Sequence, residues 1–297
     1  MDTQTELATH FDKSRKHLRA VAFRMLGSAD EAEDAVQDAW LRASHSGAEG
    51  VSNVTAWLTT IVARICLDML RSRRRRGEEF TDIAELDSII AHEDCDPAEE
   101  AVRADSVGLA LLVVLNTLGP AERVAYVLHD LFSVPFDEIA EILQRNTAAA
   151  KKLASRARHR VLGTDAVPSG DLARQRQVVD AFLAASRAGD LTGLLAVLHP
   201  EVVRRADAPA LASHGRTEIR GARDVARETL SNTVRAYLAR PILVNGGVGV
   251  VVAPNGRLRL VLALTIEDDR ITAVDVISDP TRLRELRLSL VEPVPVS

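Results

Sequence analysis

Apolar residues at Phe11, Leu18, Val21, Ala22, Met25 and Leu26 fall on one face of a helix, and Gly27-Ser28 interrupts the pattern. A second helix opens at Asp30. Glu31, Glu33 and Asp34 occupy its first turn, where the helix dipole favours carboxylates. It buries Ala32, Val36 and Ala39, reaches Trp40 at its edge and ends near Ser44, before a loop, SHSGAEGVSN. Thr55 to Arg71 predicts a third helix with a divided wheel. Leu58, Ile61, Val62, Ile65 and Met69 make the apolar stripe, and Trp57, Thr60, Arg64, Asp68, Arg71 and Arg75 lie opposite.

Periodicity then lapses over 78–105, apart from a short helix expected at Ile83 to Ile90, and returns as an almost wholly apolar helix from Ser106 to Leu118. Gly119-Pro120 stops it, and PAERVAYVLHDLF predicts another helix that breaks at Ser133. Pro135 starts the next, with Phe136, Ile139, Ala140 and Leu143 on one face. After a turn at Gln144-Arg145-Asn146, a partner helix begins with Thr147 as its expected N-cap. Ala150, Leu153, Ala154, Ala157 and Val161 turn inward on that partner, while Lys151, Lys152, Ser155, Arg156 and His159 turn outward. This is the pattern of a helix-turn-helix, whose second helix fits the DNA major groove.

After 164–170, a second linker, the period changes. Leu172 to Ala188 and Leu191 to Leu198 read as helices. From Tyr237 strands take over: VGVVVA, a Pro254-Asn255-Gly256 turn, RLRLVLALTI, an Asp268-Asp269 turn and RITAVDVIS. Helices followed by an antiparallel meander predict a separate α+β domain over 171–297.

Composition narrows the function. The 297 residues suffice for two or three cores, and a hydrophobic share of 46% excludes the disordered class. The two cysteines, Cys66 and Cys95, have no CxxC spacing and no nearby histidine at zinc spacing, so neither a disulfide framework nor a structural metal site is indicated, and no cofactor is expected. No apolar stretch approaches the length of a membrane span, which predicts a cytoplasmic protein with no membrane partner.

The net charge of -5 hides a division along the chain. Residues 1–77 carry 12 basic and 10 acidic side chains, 78–105 carry 1 and 11, 106–163 carry 7 and 5, and 164–297 carry 17 and 16. The acidity belongs to 78–105, which reads either as a solvated spacer or as a partner for the arginines before it. Those arginines, Arg71 and Arg73 to Arg76, end the helix that carries Trp57. An aromatic and a cation cluster on one face suit single-stranded or melted nucleic acid, where bases stack and cations follow the backbone. The other reading packs Trp57 beneath the loop 44–53 and leaves the arginines as a solvated helix end. Lys151, Lys152, Ser155 and Arg156 suit duplex phosphates and guanine edges.

Three segments in order, DEAEDAVQDAWLRA, AWLTTIVARICLDMLRSRRRR and LNTLGPAERVAYVLHDLFSVPFDEIAEILQRNTAAAKKLASRARHRV, resemble the two domains of extracytoplasmic-function sigma factors of bacterial RNA polymerase over roughly residues 8–163. Residues 171–293 resemble the SnoaL-like extension of one subgroup, through QVVDAFLAASRAGDLTGLLAVLHPEVV, RGARDVA, VNGGVGVVV and SDPTRL. The resemblance implies two all-α sigma domains, a helical bundle (1–77) and a helix-turn-helix (106–163), followed by an α+β SnoaL-like cone (171–297). The implied partners are core RNA polymerase, through its β′ clamp helices and β flap, and promoter DNA. Asp34, Gln37, Asp38 and Leu41 would dock on the clamp helices. Trp57, Arg64, Arg71 and Arg73, Arg74, Arg75 and Arg76 would hold the melted -10 element, and Lys151, Lys152, Ser155 and Arg156 would read the -35 element.

Three departures from the family pattern stand out. Arg64 replaces an asparagine common seven residues after the tryptophan, so the usual -10 preference does not carry over. The linker has DIAELDSII where the subgroup has a WLPEP-like motif. The terminal motif, usually NPDKL-like, keeps Asp279, Pro280 and Leu283, an expected interdomain regulatory contact. His199, Asp207, His214 and Asp275 offer acid/base groups but form no recognisable catalytic arrangement, so the expectation is a non-enzymatic initiation factor whose last domain tunes it. The alternative is a stand-alone DNA-binding regulator whose hollow last domain senses a small ligand.

Overall fold

The structure is a computed structural model that describes residues 3–48, 50–76, 106–163, 169–207, 210 and 216–291. The acidic linker, with its expected helix at Ile83 to Ile90, most of the second linker, and His214 lie outside them. The chain forms two compact units. The first joins the residues up to 76 with Leu118–His159, and the second joins 106–117 with Arg160 onward.

In the first unit, helices α1 (Thr3–Leu26), α2 (Ala29–Ser46) and α3 (Val54–Arg76) pack on one another. Leu18, Val21, Ala22 and Met25 of α1, the small Ala32, Ala35, Val36 and Ala39 of α2, and Leu58 and Val62 of α3 are fully buried or nearly so. Small residues on α2 let the axes approach closely. Gly27, at φ 76°, makes the left-handed break after α1 that a β-carbon would strain, and Ser28 caps α2 by accepting from Glu31 N at 3.4 Å.

The same unit continues with α5 (Pro120–Tyr126), a π-helical turn (Val127–Leu131), α6 (Phe136–Leu143) and α7 (Thr147–Leu162), of which all but the last turn belongs here. Asn146, and not Thr147, caps α7, because its Oδ1 accepts from Ala149 N at 2.8 Å and its carbonyl from Ala150 N at 3.0 Å. The π turn seats the His129 ring 3.8 Å from that of Phe136.

The second unit is built on a seven-stranded sheet in the order β2-β1-β6-β5-β4-β3-β7. Its strands are β1 (Leu198–Ala206), β2 (Glu218–Arg220), β3 (Ala239–Val244), β4 (Gly247–Val252), β5 (Leu260–Glu267), β6 (Arg270–Ile277) and β7 (Leu288–Ser289). The three predicted strands are present as β4, β5 and β6, and β3 extends the meander before them. β1 and β2 were not predicted, and β1 runs parallel to β6, so the sheet is mixed. Helices α8 (Ser169–Ala188), α9 (Leu191–Val197), α10 (Ala222–Ser231) and α11 (Thr233–Leu238) accompany it. Val179, Phe182 and Leu183 of α8 share a core with Val248, Val250 and Val252. Gly249 is required by close approach, since a β-carbon there would lie 2.6 Å from the Leu262 carbonyl oxygen. A last short helix, α12 (Pro280–Glu285), precedes β7.

Helix α4 (Ser106–Thr117), expected from sequence to open the helix-turn-helix domain, belongs to this second unit. It packs on β3, β7 and the turn at Pro254–Gly256, where Asn116 Nδ2 donates to Gly256 O at 2.5 Å. An apolar helix on all sides must be buried on all sides, and Leu111 to Leu115 are.

Candidate nucleic-acid interface

Three side-chain groups that the sequence singled out fall on three exposed surfaces of the first unit. The first is a shallow groove of about 370 Å³ between α2 and α3, lined by Asp34, Ala35, Asp38, Arg42, Ile65, Asp68 and Met69. Asp34 and Gln37 are exposed, Asp38 is half-buried and bonded to Arg42 at 3.0 Å, and Leu41 is 55% exposed. Asp68 and Met69 were not among the predicted groove residues. Sequence assigned Asp68 to the tryptophan face and Met69 to the core stripe, and only the angle between α2 and α3 turns their edges into one groove. The result is an acidic rim around apolar side chains, suited to a basic, amphipathic helix.

The second surface is the open arc of α3. Asn53 Oδ1 accepts from Ala56 N at 3.1 Å and sets the start of the helix, so that Trp57, Thr60, Arg64, Asp68, Arg71 and Arg75 share the side away from the core. Trp57 is half-buried, while Arg64, Arg71, Arg74, Arg75 and Arg76 are exposed. Arg73 stands apart from them. It is folded back on the bundle, donating to Leu26 O at 2.9 Å and paired with Glu31. The buried arc is wider than the predicted stripe and also takes in Thr59, Ala63, Cys66, Leu67 and Leu70, because α5 and α6 pack on α3 as well. Burial pushes the Cys66 thiol up to about 12.

The third surface is the outer side of α7. Ala150, Ala154, Ala157 and Val161 are buried, with Leu153 half-buried, and Lys151, Lys152, Ser155 and Arg156 are exposed. Lys151 Nζ lies 5.9 Å from the Phe136 ring centre, within cation–π range. Arg156 reaches Glu122 of α5 at 3.3 Å, and Arg158 Nε donates to Asp130 of the π-helical turn at 2.7 Å, so two carboxylates from earlier in the chain orient the basic face.

The acid/base candidates of the second unit have structural work. Asp207 accepts from Ser278 N and Oγ and from Asp279 N, each at 2.9 Å, and His199 Nδ1 accepts from Glu201 N at 3.1 Å. Asp275 sits 4.0 Å from Arg205. Asp279 in turn caps α12, accepting from Thr281 N at 2.9 Å and Arg282 N at 3.0 Å. Pro280 is exposed and Leu283 buried.

The Sigma-70 region 2 profile matches residues 10–76, and the Sigma-70, region 4 profile matches 108–161. The chain is 37% identical over 288 residues to the ECF RNA polymerase sigma factor SigJ of Mycobacterium tuberculosis, covering 92% of each. It belongs to the extracytoplasmic-function RNA polymerase sigma factors. A probable sigma factor SigI of the same organism is 35% identical over 280 residues, 93% of this chain and 94% of that one. The crystal structure of SigJ aligns over 98% of this sigma factor and 100% of that chain, at 30% identity and a TM-score of 0.44. This sigma factor thus directs RNA polymerase to promoters and combines helical region 2 and region 4 elements with an α+β region built on a sheet. Among its described residues no helix is long and apolar enough to cross a membrane.

Proposed function

We propose that the α2–α3 groove docks the clamp helices of the β′ subunit, that the open arc of α3 holds the melted -10 element, and that α7 reads the -35 duplex while region 4 meets the β flap. The groove carries this reading. Asp34, Asp38 and Asp68 surround Ile65 and Met69 beside an exposed Leu41, a surface that binding DNA alone does not need and that DNA, being anionic, disfavours. Trp57 with Arg64 and Arg71 supplies stacking and charge for unpaired bases, and Lys151, Lys152, Ser155 and Arg156 supply charge and hydrogen bonds for a duplex groove. Arg73, held by Glu31 and Leu26, contributes to the -10 surface only if it is released.

The protein acts in the cytoplasm as an initiation factor and performs no covalent chemistry. Its α+β unit tunes that activity, with the Asp279-Pro280-Leu283 turn as part of the regulatory surface. Support comes from α4, a segment inside the region 4 match that is built into the second unit. Run-off transcription with purified core polymerase tests the whole reading, and promoter-dependent product is expected. Asp38→Arg should lower core binding at least tenfold with an unchanged thermal melt, and a pull-down equal to wild type would remove the groove from the docking role.

A further inference from the structure

Between α5 and α6 the chain makes two moves that local energetics disfavour. The π-helical turn Val127–Leu131 continues α5 with one extra residue in its hydrogen-bonded ring. Ser133 then enters the left-handed region at φ 55°, where any side chain is crowded. Val134 N donating to Leu128 O at 2.9 Å and Ser133 N to His129 O at 3.1 Å lock the segment. Strain of this kind persists where the surroundings use it, and the side chains of His129 and Asp130 show a use.

These two residues brace opposite ends of one line on α7. Lys151, Ser155 and Arg158 lie at i, i+4 and i+7, and all three are exposed. At one end the His129 ring stacks on Phe136 at 3.8 Å and 31°, and Lys151 Nζ lies over the Phe136 ring. At the other end Asp130, with 14% of its side chain exposed, accepts from Arg158 Nε at 2.7 Å and also faces Nη2 with the same oxygen. That fixes the plane of a guanidinium that is still 48% exposed. The second Asp130 oxygen is buried without a hydrogen bond among the described residues, so holding the carboxylate here costs desolvation.

We propose that the π turn is a positioning device for the -35 surface: Asp130 holds Arg158 as a further DNA-contacting side chain, and His129 holds Lys151 through Phe136. The inference rests on α7 being the -35 reader. A long basic side chain loses rotamer freedom when it meets DNA, and one already held in place loses less, so bracing raises affinity without adding charge. Plain electrostatics makes the opposite forecast for Asp130. Removing a carboxylate beside an anionic duplex strengthens binding if charge alone matters, whereas removing a brace weakens it.

Holoenzyme assembled from the full chain and purified core polymerase is titrated onto a duplex promoter that supports run-off transcription, and binding is followed by fluorescence anisotropy. Asp130→Asn, which keeps the shape and removes the charge, should weaken binding about threefold or more. Arg158→Ala should weaken it about fivefold or more and lower the slope of log affinity against log salt by about 1. In the Arg158→Ala background Asp130→Asn should have no further effect. His129→Leu should cost about threefold, while His129→Phe, which keeps a stacking ring, should bind as wild type. Neither change should matter once Lys151 is alanine. Tighter or unchanged binding by Asp130→Asn, or an equal loss with and without Arg158, overturns the positioning role, as does an equal loss for His129→Leu and His129→Phe. Lys152→Glu reads the underlying assignment separately. If that variant also binds as wild type, α7 is not the -35 reader and the proposal falls with that reading; if it weakens binding and the turn variants do not, the proposal alone falls.

Discussion

Arg64 and Arg73 occupy one helix and carry one charge, yet the structure gives them different circumstances. Arg64 stands exposed in the arc that holds Trp57, while Arg73 is turned back onto Glu31 and Leu26 O. A base-reading position needs a free, well-aimed donor, and Arg64 meets that need where an amide is common in the family. Arg64→Asn should change the preferred -10 sequence in a promoter library selection, and an unaltered preference would limit Arg64 to backbone contacts. On α7, Lys152 is exposed on the face expected to meet phosphates. Lys152→Glu should weaken -35 duplex binding across sequences and reduce the slope of log affinity against log salt by about 1 or more, read by fluorescence anisotropy at several ionic strengths. The sequence placed Arg64 and Lys152 correctly on outward faces, because a helical wheel alone decides that. It could not separate Arg73 from its neighbours, since its partners come from the α1 terminus and from α2.

Elements show a similar division. The three region 2 helices were legible from periodicity and from the Gly27-Ser28 break, and the β4 to β6 meander from its β-rich runs and turn residues. β1 and β2 escaped notice because HPEVVRRA has only two consecutive β-branched residues and EIR is three residues long. Their strand state depends on pairing with β6 and with each other. Asp207 follows β1 and ties it to the end of β6, where it accepts the Ser278 and Asp279 amides. With its side chain only 9% exposed, Asp207→Ala should leave those donors without a carboxylate and cost the second unit about 3 kcal/mol, a fall in Tm of roughly 10 °C by calorimetry. An unchanged Tm would show that the terminal turn is held by other contacts.

For the whole molecule, the informative segment is α4. Sequence alone marks 106–118 as an almost wholly apolar helix and 164–170 as a linker, and on that reading a cut after Leu162 would leave both sigma regions whole. The fold makes that cut costly. Leu111 to Leu115 are buried in the second unit, and exposing such side chains costs about 2 kcal/mol each. A chain ending at Leu162 should therefore change its transcription activity and also self-associate on size-exclusion chromatography and bind a hydrophobic dye. A monomeric truncation with wild-type activity would rule out both the regulatory tail and the role of α4 within it.

Periodicity, local charge and turn residues were enough to determine the helices up to α9, the β4 to β6 meander, the outward basic faces and the family resemblance, because each depends on near neighbours in the chain. Tertiary structure alone decided that Asp68 and Met69 join Asp34 and Asp38 in one groove and that Arg73 turns inward. It also set α4 against the sheet and region 4 against region 2. Those outcomes depend on which buried faces meet across long stretches of chain, and an apolar stripe specifies that it must be covered without specifying what covers it.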